Sequence, residues 1–127
     1  MIGRRHHVVI DTPDPKALAE FYSELLGLPI TYTSDDWVVI AEDDRTSGFA
    51  FQLAPDHQRP AWPDPSRPQQ FHLDVMVDDL EVAERKVLAL GAVQLATGDH
   101  VYADTAGHPF CLLRRPVWAP PIHPPSP

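Results

Sequence analysis

The chain is poor in cysteine: Cys111 stands alone among 127 residues. No internal disulfide can brace the fold, and a reducing, cytoplasmic setting is the expectation. Cations are also few, with Lys and Arg numbering 10 against 18 Asp and Glu for a formal charge of -8. Such a surface repels phosphate backbones and anionic membranes, and the pairs Arg4-Arg5 and Arg114-Arg115 are too small to reverse it. Nucleic acid is therefore not an expected partner. No apolar run approaches the roughly 20 residues of a membrane span, and "MIGRRHHVVI" lacks the apolar core and cleavage site of a secretion signal. No membrane association is expected. What remains is ordinary globular chemistry, 43% hydrophobic and 22% charged, in a length that suits one domain. Proline is the exception in abundance, at 15.

The chain contains one pattern twice. Residues 6–11, "HHVVID", form a short β-branched run, and Leu18, Phe21, Tyr22 and Leu25 then recur at helical spacing. Asp14 suits the N-cap, Pro15 the first helical position and Gly27 the left-handed terminator. "ITYTS", "WVVIA" and "FAFQLA" read as three further strands. The order recurs as strand "FHLDVMV", a helix with Leu80, Ala83, Val87 and Leu90 on one face ending near Gly91, and strands near 92–96, 100–103 and 109–114. His7 and His72 each lie seven residues before a helix-opening aspartate, Asp14 and Asp79. The predicted fold class is α+β, one domain of two βαβββ modules: module one at 6–55, a linker at 56–68, module two at 69–115 and a proline-rich tail at 116–127. The linker carries "PDHQRPAWPDPSRP", which reads as a stiff extended connector, and the tail as frayed or draped on the surface.

Strand alternation separates two faces. In "FHLDV", Phe71, Leu73 and Val75 take one face and leave His72 and Asp74 on the other. In "FAFQL", Phe49, Phe51 and Leu53 leave Gln52, and in "PFCLL", Phe110 and Leu112 leave Cys111. His7 avoids its apolar face in the same way, with His6 as a competitor for that role. Trp37 and Tyr102 are candidates for aromatic pocket walls, with core packing as the alternative for either. Cys111 also reads as a small hydrophobe, and His72 as a histidine satisfied by Asp74 or Gln52. His57 and His108 read as loop residues, and Glu42-Asp43-Asp44 as a solvated turn.

The segments "HVVIDTPDPKALAEFYSELLG", "FHLDVMVDDLEVAERKVLALG" and "DTAGHPF", in duplicated βαβββ order, resemble the vicinal oxygen chelate superfamily across nearly all of 6–115. That superfamily contains glyoxalase I, bleomycin-resistance proteins and extradiol dioxygenases, and the glyoxalase-like domain group is the most similar. The resemblance implies an open, barrel-like concave sheet, the glyoxalase/bleomycin resistance/dihydroxybiphenyl dioxygenase fold, with a divalent metal where the two halves face each other. Carried over, the metal positions fall on His7, Gln52, His72 and Cys111, the last where relatives usually have glutamate. The ligand-binding set adds Trp37 and Tyr102; no catalytic residue stands out. Two imidazoles, an amide and a thiol suit zinc better than iron, and a metal-free site is the alternative. Function then divides between metal-assisted lyase, isomerase or transferase chemistry on a small organic ligand and metal-free sequestration of a drug or metabolite, with a purely structural or partner-binding domain third. A homodimer is expected from the same resemblance.

Overall fold

A computed structural model describes residues 1–123. Residues 124–127, the end of the proline-rich tail, lie outside the described residues. The chain forms two compact units, Met1–Gln58 and Arg59–Pro127.

In the first unit, β1 (Val8–Thr12) leads into α1 (Pro15–Leu26), followed by β2 (Ile30–Thr33), β3 (Trp37–Ile40) and β4 (Phe49–Leu53). Asp14 caps α1 by accepting the amide of Ala17 at 3.0 Å, and Pro15 opens it. Gly27 closes it at φ 68, where its amide donates to the carbonyl of Ser23. The sheet order is β1-β4-β3-β2, with β1 parallel to β4 and the other pairs antiparallel. Ile10, Val38, Ile40 and Phe51 meet Leu18, Phe21 and Tyr22 of α1 in a buried layer, and the Tyr22 and Phe51 rings stack at 5.7 Å. That layer is the reason the apolar periodicity of α1 reads so clearly.

The second unit repeats this plan with β5 (Leu73–Val77), α2 (Leu80–Ala89), β6 (Val93–Gln94), β7 (Val101–Ala103) and β8 (Pro109–Arg114) in the order β5-β8-β7-β6. Asp79 caps α2 by accepting the amides of Glu81 and Val82. This helix buries less, with only Val87 of its residues fully covered. The fold is α+β in two βαβββ modules.

One expectation for the connecting segments needs correction. The linker is not extended: Ala61, Asp64 and Arg67 exchange backbone hydrogen bonds, and Asp64 accepts the amide and hydroxyl of Ser66. Asp and Ser close local turns that override the polyproline preference. The segment also folds onto the second unit, because Arg59 donates to the carbonyl of Thr105 at 2.8 Å. His108 is a loop residue as expected, but a buried one within the "DTAGH" turn, its ring 5.2 Å from that of Phe71. The described part of the tail is draped and tied down. Asp78 accepts from Arg115 and from the amides of Ile122 and His123.

Candidate functional site

Each module presents an open sheet face opposite its helix. In module one, Ile10 and Phe51 pair on the helix side, which puts Val9, Asp11, Ala50 and Gln52 on the other. Gln52 is exposed and lies in register with Asp11 on β1 and Trp37 on β3. His7 immediately precedes β1 and is half-buried. Its Nδ1 accepts the amide N–H of Gly48 at 3.0 Å. A neutral imidazole that accepts at Nδ1 carries its proton on Nε2, so His7 offers a donor there rather than a metal-binding lone pair. Burial, with the neighbouring charges of His6 and Arg5, lowers its pKa and keeps the ring neutral. His7 and Trp37 line a hollow of about 710 Å³ together with His6, Tyr32, Val39 and Arg45. Gln52 is not among its lining residues.

In module two, β5 and β8 are parallel, with Asp74 opposite Cys111 and Val75 opposite Leu112. Val75 and Leu112 are buried, so Asp74 and Cys111 share the opposite face, where alternation also puts His72. The three side chains converge. One ligand atom from each of His72, Asp74 and Cys111 lies within 4.8 Å of the others, the one such group among the described residues. His72 Nε2 is 3.5 Å from Asp74 Oδ1. The Cys111 thiol is pushed up by burial and further by the Asp74 carboxylate, so it stays protonated at neutral pH in the absence of a cation.

Of the two readings for Tyr102, pocket wall or core, the structure has the core. It pairs with Phe110 on the helix side, is fully buried, and donates its hydroxyl to Glu84 of α2 at 2.6 Å. Burial and that carboxylate raise its pKa well above the ordinary tyrosine value. The alternation of "VYA" against "PFC" contains this result, because Tyr102 faces Phe110 and Val101 faces Cys111.

The carboxylate of the group is Asp74, on β5, while thiol-bearing Cys111 stands on the final strand. Asp74 was legible as sharing the His72 face, but not as a donor beside Cys111. That pairing depends on register. Register aligns the two modules so that Cys111 corresponds to Ala50, since Val8 pairs with Phe49 as Leu73 pairs with Phe110. Imidazole nitrogen, carboxylate oxygen and a thiol form a donor set that fits zinc, three protein ligands leaving a fourth position open. They fit hard cations less well because of the sulfur.

A model of the family described as glyoxalase-like domain matches residues 7–113. The chain belongs to that family. Solved structures agree on the fold. A glyoxalase-related enzyme from Fulvimarina pelagi is 18% identical, with 93% of this chain and 92% of that one covered, at a TM-score of 0.65. A glyoxalase/bleomycin resistance protein/dioxygenase family enzyme from Burkholderia phytofirmans PsJN is 19% identical, covering 84% and 94%, at 0.62. A bleomycin-binding protein solved in complex with bleomycin is 17% identical, covering 90% and 100%, at 0.54. No curated protein matches the chain in sequence. Among the described residues of this glyoxalase-like domain, no helix is long and apolar enough to cross a membrane.

Proposed function

We propose that this glyoxalase-like domain binds a small organic ligand and a zinc-class divalent ion, the ion held by His72, Asp74 and Cys111. The observation that carries the reading is the convergence of those three donors within 4.8 Å on one sheet face. A bound ion would act as a Lewis acid on ligand oxygens, a role suited to metal-assisted lyase, isomerase or transferase chemistry. The protein's part is to supply an imidazole nitrogen and a carboxylate, and to release the Cys111 proton on binding. Because that thiol is raised, metal affinity should increase with pH through the neutral and mildly alkaline range. His7 is assigned to hydrogen-bond donation instead, since its Nδ1 is committed to Gly48.

The test is cobalt titration of metal-free protein. A thiolate-to-cobalt charge-transfer band should form, vanish in Cys111→Ser, and need at least about tenfold more cobalt in Asp74→Asn. Zinc at ~100 times its Kd should stabilise the wild type by about 2.7 kcal/mol. A cobalt spectrum unchanged by Cys111→Ser overturns the metal assignment.

The second reading, a metal-free sequestering protein, draws support from the hollow in module one and from the structural likeness to a bleomycin-binding protein. It gains if a ligand binds with the same affinity before and after chelation. The reading includes a cytoplasmic homodimer; a monomer mass in sedimentation at micromolar concentration would remove the dimer from it.

A further inference from the structure

We infer that the hollow of module one is built for an uncharged planar aromatic ligand carrying a carbonyl oxygen, with Trp37 and Tyr32 as its walls and His7 as its hydrogen-bond donor. This rests on the small-ligand half of the proposed function and is independent of the metal. The volume, about 710 Å³, falls within the range of roughly 300–1,000 Å³ typical of organic-ligand sites. Tyr32 is 56% exposed and Trp37 half-buried; both border the hollow, with Val39 opposite Tyr32 and two residues along β3 from Trp37. Two aromatic faces and an apolar β-branched side chain reward a flat, apolar body.

The polar lining defines what that body carries. Ser34 is spent on Asp36 and the carbonyl of Trp37, and Thr46 on Asp43. His6 Nδ1 meets the hydroxyl of Ser47 at 2.9 Å. His7, fixed at Nδ1 by Gly48, retains Nε2–H as its remaining polar atom, a donor that calls for an acceptor oxygen. Charge argues for a neutral partner. The lining holds one guanidinium, Arg45, against the carboxylates of Asp36 and Asp44, and His7 is kept neutral. An anion would meet two carboxylates, and a cation would meet Arg45 with Arg5 nearby.

The experiment compares four probes of one shape by chemical-shift titration of ¹⁵N-labelled protein: 2-acetylnaphthalene, 2-ethylnaphthalene, 2-naphthoate and 2-naphthylmethylammonium. The Gly48 amide and the Trp37 indole N–H are the reporters. 2-Acetylnaphthalene should move both and bind roughly tenfold more tightly than 2-ethylnaphthalene, the difference being one hydrogen bond. His7→Phe should erase that difference, and Trp37→Leu should weaken both neutral probes. Tighter binding of either charged probe, equal binding of the two neutral ones in the wild type, or shifts confined to module two would each overturn the inference. None of these outcomes touches the cobalt result. Conversely, loss of the thiolate band would leave the hollow's preference standing.

Discussion

The two modules place histidines at equivalent positions and prepare them for opposite work. His7 and His72 each stand one residue before the first strand of their module, and in register their neighbours on the last strand are Gly48 and Pro109. Gly48 has an amide N–H, and it binds the ring of His7. Proline has none, so His72 keeps both ring nitrogens clear of that bond. The next open-face positions diverge in the same sense: Val9 and Ala50 in module one, Asp74 and Cys111 in module two. One copy of the unit thus has a tethered imidazole over apolar neighbours, and the other an untethered imidazole beside a carboxylate and a thiol. A duplicated fold sets where a side chain stands; the residues across the strand pair set what it can do.

The sharpest way to break the comparison is Gly48→Ala. A Cβ there would lie 2.0 Å from the carbonyl oxygen of Ile40, a backbone atom that cannot swing away. The start of β4 must shift, losing the amide of Val8 on the Gly48 carbonyl as well as the His7 bond. The expected cost is about 3 kcal/mol, read as a lowered midpoint in urea unfolding. The released His7 ring should also show changed Nδ1 and ring proton shifts, as the Gly48 hydrogen bond is lost. A loss below about 0.5 kcal/mol would mean that the strand end accommodates the side chain and that the tether is incidental.

Pro109→Ala tests the same contrast from the other side. It supplies module two with an amide where Gly48 has one. If that N–H engages His72 as Gly48 engages His7, the metal-binding lone pair is lost to the competing tautomer and cobalt affinity should fall by about tenfold. Unchanged affinity, with the charge-transfer band intact, would mean that the imidazole is held by its metal-site partners alone.

These cross-strand effects mark the limit of what the sequence made legible. Element order, both helices with their caps and the open-face position of Gln52, His72 and Cys111 follow from periodicity and turn chemistry, which act over a few residues. Tyr102 stayed open between pocket wall and core because period two defines a face only once a partner strand fixes its sense, and Phe110 does so here. The proximity of Asp74 to Cys111 was not legible for a related reason. A carboxylate two residues beyond His72 looks like a simple ion-pair partner until register brings Cys111 across from it. The polar turns of the linker were hidden beneath its proline count.

The smallest expected effect isolates Asp74 from burial as a cause of the Cys111 behaviour. Burial is the larger influence on that thiol, with the carboxylate second. Asp74→Asn keeps the side-chain shape and removes the charge, so only the second influence disappears. The pH profile of iodoacetamide alkylation in metal-free protein should move to lower pH, because a thiolate no longer forms beside an anion. At neutral pH the rate should rise roughly twofold to fivefold, and the difference between variant and wild type should shrink in high salt, because the Asp74 carboxylate is exposed. A profile that does not move would assign the raised thiol to burial alone and make Asp74 electrostatically silent toward Cys111.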